Sequence, residues 1–182
     1  PNKLVGFQDV EDDAIRAKFE SAWGCTIPPK KGWHLTQMFE AMERRELTCL
    51  YVLGENPAQS EADSRRATQL LSGLDFIVAQ DIFLTKTAQL ADVVLPATAA
   101  WCESEGTVTN SERRVQRVRR AVPPPSGARD DIEIVCALSR RLGRDLGDPT
   151  PEQIWDEVRS LSPMHAGMSY RRLEERGGLH WP

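Results

Sequence analysis

The sequence of 182 residues lacks the features that mark several large classes of protein. No apolar run approaches the roughly 20 residues that a membrane-spanning helix needs, and the chain does not open with a charged and then apolar secretion signal. A formal net charge of -4 argues against a general binder of nucleic acid or membrane surfaces, because such proteins present basic faces. We therefore expect no nucleic-acid partner, no membrane insertion and a cytoplasmic location. Since the chain begins at Pro1 rather than Met, we also expect its natural N-terminus to lie further upstream.

The sequence also lacks the cysteine spacing of a metal site. Its four cysteines lie far apart, which leaves no Cys-x-x-Cys pair for zinc or an iron–sulfur cluster: Cys25, Cys49, Cys102 and Cys136. A domain with this much apolar sequence does not need a disulfide framework, so we expect buried, reduced thiols. The three histidines are scattered and are interpreted as ordinary surface or core residues.

The middle of the chain contains an alternation of strands and helices. Three short, nearly continuous apolar runs predict strands at 49–53, 76–79 and 93–95 that are covered on both faces. A helical stripe between the first two runs and a short helical piece near 85–90 predict crossover connections, which are typical of a parallel sheet. We therefore predict an α/β fold over residues 48–147, a Rossmann-like three-layer αβα domain that binds a nucleotide.

Helical segments and a hairpin are expected around this sheet. Apolar side chains at helical spacing predict two helices in an N-terminal extension over residues 1–47. The capping-box sequence Thr150-Pro151-Glu152-Gln153 starts a further helix in a C-terminal tail over residues 148–182. A run rich in β-branched residues predicts a β-hairpin after Trp101, and another helix is expected from about Asp130.

Polar residues at the predicted strand ends indicate a ligand site. In an open parallel sheet, ligands bind beyond the carboxyl ends of the strands. Gly54-Glu55-Asn56-Pro57 follows the first strand, and Ser60 is predicted to cap the next helix, whose N-terminus favours a phosphate. Asp81 ends the second strand, where a carboxylate can accept hydrogen bonds from ribose hydroxyls or from the two adjacent donors of guanine.

An interpretation without a ligand fits the same residues. Gly-x-Asn-Pro is a common turn composition, while Ser60 and Asp81 can each cap a neighbouring segment. No G-x-G-x-x-G is present, which argues against a standard nicotinamide site. The glutamates after Trp101, including Glu105, are interpreted as solvated. The arginines between 113 and 120 are interpreted as a solvated strand face, or as a strip that meets phosphates or an acidic partner.

Four longer runs make the sequence resemble the molybdopterin oxidoreductase family. These runs are Tyr51–Pro57, Val78–Ala88, Ala91–Pro96 and Glu105–Gln116. The flanks are similar to formate dehydrogenase large subunits in particular, through Gly6-Phe7-Gln8, Ile154-Trp155-Asp156-Glu157 and Trp181-Pro182. Close relatives include the periplasmic nitrate reductases and the large iron–sulfur subunit of NADH-quinone oxidoreductase, and the latter is the nearest alternative.

The resemblance implies a large enzyme that oxidises formate to carbon dioxide. Such an enzyme carries a bis(molybdopterin guanine dinucleotide) cofactor around Mo or W, and a [4Fe-4S] cluster receives the electrons. The segment similar to residues 48–147 would hold the guanosine-phosphate end of one pterin. Expected partners are the pterin cofactor, the remaining domains of the same subunit and other electron-transfer subunits.

The resemblance also carries six residues to the nucleotide site: Asn56, Ser60, Gln80, Asp81, Ser104 and Asp131. The first two would contact phosphate or the adjacent sugar, the next two would hold the nucleoside, and the last two would join the same site. The cluster cysteines, the metal-ligating Cys or selenocysteine and its neighbouring His and Arg have no counterpart here. We therefore assign no catalytic residue and no metal ligand, and expect the isolated chain to be inactive on formate. A stand-alone nucleotide-binding or interaction module is the competing hypothesis.

Overall fold

The computed structural model describes residues 3–181 and divides the chain into two compact units. One unit comprises Leu35–Ala99 and Val122–Gly147, and we call it the α/β unit. The other, the hairpin unit, comprises the segment up to His34, Ala100–Ala121, and the segment from Asp148 onwards. This division differs from the three consecutive segments expected from the sequence. Part of the N-terminal segment packs under the parallel sheet, and the hairpin pairs with a strand near the C-terminus.

The α/β unit is built on a three-stranded parallel sheet, which confirms the predicted fold class. Its strands are β3 (Cys49–Leu53), β4 (Phe76–Asp81) and β5 (Val93–Pro96), with β4 in the centre. The pairing places Leu53 opposite Gln80. The carboxyl ends of β3 and β4 therefore lie side by side at one edge of the sheet.

Four α-helices and a short 3-10 helix, Ala88–Leu90, belong to the α/β unit. The α-helices are α2 (Leu35–Glu43), α3 (Pro57–Ser60), α4 (Ser64–Ser72) and α5 (Asp131–Arg141). α2 and α4 pack on one face of the sheet, where Phe39, Met42, Leu71 and Ile77 are buried in a common core. Side chains alternate between the faces of a strand, and Val52, Ile77 and Ala79 are the buried residues of β3 and β4 on this side.

The opposite face of the sheet corrects one prediction. Strands covered on both faces were expected, yet Tyr51, Leu53 and Phe76 are 43%, 47% and 44% exposed. The physical reason is that α2 and α4 lie on the same face, whereas α5 reaches the other face only near Gln80 and Leu95. Among the described residues, no helix covers the remainder of this face.

The hairpin unit contains two small antiparallel sheets and three α-helices among the described residues. Its strands are β1 (Lys3–Leu4), β2 (Gln8–Asp9), β6 (Gly106–Thr109), β7 (Arg114–Val118) and β8 (Leu179–His180). Its helices are α1 (Asp13–Trp23), α6 (Pro151–Leu161) and α7 (Tyr170–Arg176). The predicted hairpin of β6 and β7 is confirmed, as is the capping box of α6. β8 pairs with β7, so the C-terminal tail contains a strand that was not predicted.

The cysteines agree only partly with the expectation. All four are free thiols, but Cys25 and Cys49 are exposed, Cys102 is half-buried and Cys136 is buried. The prediction of buried thiols was therefore wrong for the first two. Cys49 lies on the uncovered side of the sheet, and Cys25 follows Gly24, where the chain leaves α1 in the left-handed conformation (φ 60°).

Candidate functional site

The candidate site lies where β3 and β4 end. We call this region the carboxyl rim: the loop Gly54–Pro57, the end of β4 at Gln80–Asp81, and the start of α5 at Asp131. The amide of Gly54 donates a hydrogen bond to the carbonyl oxygen of Gln80 (2.9 Å), which joins the loop to the end of β4. Gly54 has a φ of 63°, a left-handed conformation that turns the chain away from the sheet at this point.

Asn56 is anchored through its side-chain oxygen. Asn56 Oδ1 accepts hydrogen bonds from the backbone N of Thr87 (3.1 Å) and from its Oγ1 (2.8 Å). Thr87 Oγ1 in turn accepts from the backbone N of Ala58 (3.0 Å), and Thr87 is fully buried. The other end of the amide, Asn56 Nδ2, makes a long contact to the exposed Gln59 Oε1 (3.3 Å). The side chain is thus fixed at one end, with its donor group on the other side.

Gln80 lies at the centre of a polar network. It is 1% exposed; its Oε1 accepts a hydrogen bond from the Tyr51 hydroxyl, and its Nε2 donates to Asp131 Oδ1. Partial burial, followed by the charge of Asp131, raises the pKa of the Tyr51 hydroxyl. Both ends of the Gln80 amide therefore have partners within the protein.

Two carboxylates at the rim keep one oxygen each without a partner among residues 3–181. Asp81 Oδ1 accepts from the backbone N of Phe83 (3.0 Å), as expected for a residue that caps the segment after a strand. Asp131 is the first residue of α5, and its Oδ1 is held by Gln80. The second oxygen of each carboxylate is left as an acceptor, and acceptors of this kind match adjacent N–H donors on a ligand.

Ser60 is not the helix cap that was predicted. It is the exposed last residue of the four-residue helix α3, and Asp63 caps α4 by accepting from the backbone N of Arg66 (2.9 Å). The helix begins earlier than expected because Pro57 occupies its first turn. The chain then leaves helical geometry at Glu61, and a new helix begins. The prediction that Ser60 caps the second helix was wrong.

Ser104 lies in the other unit. It is buried within Ala100–Ala121, whereas Asn56, Ser60, Gln80, Asp81 and Asp131 belong to the α/β unit. Within that unit the fold brings Gln80 into contact with Asp131 across 51 residues of chain, and Asn56 into contact with Thr87 across 31. No hydrogen bond among the described residues joins these two pairs directly.

Tyr51 and Thr87 hold residues of the rim through hydrogen bonds, and neither was predicted from the sequence as a site residue. Tyr51 had an available signal, since on β3 it shares a face with Leu53, which lies opposite Gln80. Thr87 had none, because a threonine in a connecting segment is compatible with many roles.

Similarity to known proteins identifies the family of this chain. The family model of molybdopterin oxidoreductases matches residues 14–141. The chain belongs to the molybdopterin oxidoreductase family. It is 43% identical to the alpha subunit of the F420-dependent formate dehydrogenase of Methanocaldococcus jannaschii. That match covers all of this chain and 27% of the subunit. A putative formate dehydrogenase of Staphylococcus aureus (strain USA300) is 42% identical over the whole chain and 18% of its own length.

The resemblance inferred from the sequence is therefore confirmed at the level of the family. The chain spans about a quarter or less of the curated relatives it matches. In fold, this family member is similar to acetylene hydratase from Pelobacter acetylenicus, with a TM-score of 0.62 over 91% of the chain and 23% of that structure. The sequence identity in that comparison is 23%, so the similarity concerns the fold alone.

In this molybdopterin oxidoreductase chain the basic strip of β7 makes contacts inside its own unit. Arg117 is 12% exposed at its side chain, pairs with Glu105 and Glu174, and lies 3.5 Å from the ring centre of Tyr170. Arg119 pairs with Glu174 as well. Glu105 is exposed, as interpreted from the sequence, although hairpin pairing also brings its carboxylate next to Arg117. Arg117 and Arg119 therefore contact acidic side chains of their own unit.

The described residues contain neither a metal-binding cluster nor a membrane-spanning helix. Over residues 3–181, no group of three or more His, Cys, Asp or Glu side chains is arranged to hold a metal ion. None of the helices in that range has the length and apolar character needed to cross a membrane. The polar groups of the rim are amide donors and carboxylate acceptors, a set that fits the nucleotide end of a cofactor better than its metal.

Proposed function

We propose that the carboxyl rim binds the guanosine-phosphate end of a molybdopterin guanine dinucleotide, within a subunit that oxidises formate. The observation that carries the proposal is the contact between Gln80 and Asp131. It brings an acidic helix start to the end of the central strand, where open parallel sheets bind ligands. Formate as the substrate is supported by the formate dehydrogenase relatives, which match the whole chain.

The donor and acceptor groups favour guanosine over other nucleosides. Guanine presents two adjacent N–H donors, which match carboxylate oxygens such as those that Asp81 and Asp131 leave without partners. In adenine, the ring nitrogen beside the amino group carries no proton. Adenine therefore lacks two adjacent N–H donors and cannot make the same pair of hydrogen bonds. Asn56, which presents a donor group, is suited to the phosphate, whereas the two carboxylates are not.

When bound, the cofactor supplies two-electron redox chemistry at Mo or W. The residues of this chain would hold its nucleotide and keep the pterin at a fixed distance from the rest of the protein. We assign Gln80 to orienting Asp131 rather than to touching the nucleoside, since both ends of its amide are already bonded. We assign the second pterin nucleotide and the [4Fe-4S] cluster to the remainder of a longer subunit, since the formate dehydrogenase relatives are several times longer than this chain.

Binding of guanosine 5′-monophosphate (GMP) to the 182-residue chain tests this function. We expect GMP to raise the melting temperature and to bind more tightly than adenosine 5′-monophosphate in calorimetry, because a ligand that binds only the native state stabilises it. Asp81→Asn should weaken GMP binding by about 1.5–3 kcal/mol, the usual loss for a hydrogen bond to a charged group.

The control is Asp75→Asn, which removes an acidic residue at the opposite end of β4. Asp75 forms an exposed ion pair with Arg45 and lies in the same unit. We expect this variant to bind GMP as the unmodified chain does. Equal affinity for the two nucleotides, or an Asp81→Asn variant that binds as tightly as the control, would rule out guanosine recognition at the rim.

A further inference from the structure

We propose that Thr87 is a positioning residue, which fixes the Asn56 amide so that only its NH₂ group faces the ligand phosphate. This inference rests on the proposed function and names the contact that the phosphate makes. Thr87 itself does not touch the ligand. It is fully buried and acts through Asn56, 31 residues earlier in the chain.

The orientation of the Asn56 amide follows from the chemistry of its partner. The backbone N–H of Thr87 can only donate, so the Asn56 atom 3.1 Å from it must be the oxygen. The Thr87 hydroxyl reinforces this choice. Its oxygen accepts the N–H of Ala58, which leaves its single proton for Asn56 Oδ1 at 2.8 Å. Two donors on one residue thus hold the same acceptor.

The outward group is therefore a donor. Asn56 Nδ2 is held only by a 3.3 Å contact to Gln59 Oε1, and Gln59 is an exposed side chain that an incoming ligand can displace. A donor-only group can bind phosphate oxygens but cannot accept from the N–H groups of guanine. We call the two hydrogen bonds from Thr87 to Asn56 Oδ1 the Thr87 clamp. With this clamp in place, the rim has a donor for phosphate at Asn56 and acceptors for the base at Asp81 and Asp131.

The experiment compares GMP with guanosine in variants of the 182-residue chain. In the unmodified chain we expect GMP to bind more tightly than guanosine. Thr87→Val keeps the shape of the side chain but removes the hydroxyl. It should lower the affinity for GMP by roughly threefold to tenfold and change the affinity for guanosine little. Thr87→Ser retains the hydroxyl and should restore the preference for GMP. A purely structural defect would lower the affinity for both ligands together.

Thr85→Val is the matched control. Its hydroxyl also accepts a backbone N–H, that of Ala88 at 3.1 Å, whereas the hydrogen bonds to Asn56 Oδ1 in the described part of the chain come from Thr87. This variant should keep the preference for GMP over guanosine.

A second substitution covers the case in which Thr87→Val does not fold. In Asn56→Asp, one carboxylate oxygen can still accept the hydrogen bonds from Thr87, but the other replaces the NH₂ group that faces the ligand. The affinity for GMP should fall about tenfold or more, because this oxygen repels the phosphate. Guanosine should bind it nearly as before.

The outcomes separate the two proposals. If the unmodified chain binds neither ligand, the proposed function fails. If it prefers GMP and both Thr87→Val and Asn56→Asp keep that preference, nucleotide binding stands and the positioning role of Thr87 is overturned. A parallel loss of guanosine and GMP in Asn56→Asp also overturns it, since Asn56 would then serve the nucleoside.

Discussion

At the scale of single residues, the rim depends on hydrogen bonds between side chains that are far apart in sequence. Gln80 is the clearest example, because a buried amide has to satisfy both a donor and an acceptor group. Tyr51 supplies the donor and Asp131 the acceptor. Removal of either partner leaves a buried polar atom without a hydrogen bond, which costs more than the bond itself contributes.

The Tyr51 hydroxyl is therefore expected to contribute to stability. Tyr51→Phe should lower the free energy of unfolding by about 1–3 kcal/mol, because Gln80 Oε1 loses its donor. Denaturation in urea measures this loss. Tyr170→Phe is the control, since the buried Tyr170 hydroxyl has no hydrogen-bond partner among residues 3–181. If the two variants lose equal stability, the network is not contributing as the geometry indicates.

The same hydroxyl predicts a dependence on pH. Burial raises the pKa of Tyr51 in the folded chain, so folding favours the protonated form. The corresponding stability is present below the ordinary tyrosine pKa of about 10 and is lost as the pH rises through the higher pKa of the folded state. Tyr51→Phe should lack this part of the alkaline loss. Tyr170, whose pKa is also raised by burial, contributes a similar loss that the variant retains.

At the scale of elements, helix starts decide how the segment after β3 is arranged. Pro57 begins a four-residue helix, and Asp63, not Ser60, begins the longer α4. α4 carries Ala67 and Leu71 into the core beneath the sheet, so its start sets how this helix meets Ile77.

This arrangement predicts that two neighbouring polar residues differ in importance. Asp63→Ala should destabilise the chain by about 1 kcal/mol, since the helix loses the side chain that accepts from Arg66 N. Ser60→Ala should change stability by less than about half of that, as an exposed substitution away from a cap. Thermal or urea denaturation of both variants checks the difference. A larger loss of stability in Ser60→Ala than in Asp63→Ala would indicate that Ser60, and not Asp63, caps the helix.

At the scale of the whole molecule, the parallel sheet has an apolar face that the described residues leave largely uncovered. Tyr51, Leu53, Phe76 and Val93 are each more than a third exposed and lie on the same side of neighbouring strands. Parallel sheets in proteins are generally covered on both faces. Exposed apolar surfaces of this kind favour association with other protein surfaces.

We expect the 182-residue chain to self-associate through this face. Leu53→Glu should shift the chain toward monomer in sedimentation velocity, with little change in the melting temperature, because Leu53 is already 47% exposed. Leu142→Glu replaces a more exposed leucine just after α5, outside the strands of the sheet, and should leave the association unchanged. A monomeric unmodified chain, or an equal effect of both substitutions, would contradict this expectation.

Much of the fold could be predicted from the sequence because the signals are local. The apolar runs at 49–53 and 76–79 marked β3 and the start of β4, and Thr150 with Gln153 marked the first turn of α6. The prediction that both faces of the sheet are covered failed, because strand periodicity does not show which helices share a face. Family membership also followed from the sequence, since it depends on motifs rather than on contacts.

The sequence alone determined the α/β class, the order in which the strands of the parallel sheet follow one another along the chain, and the family. Only the tertiary structure decided how the candidate site residues are held. Thr87 reaches Asn56, and Gln80 reaches Asp131, across 31 and 51 residues, and no local pattern encodes either pair. Those contacts exist because packing of the sheet with its connections brings distant segments together, and the buried polar groups must then pair with whatever lies beside them.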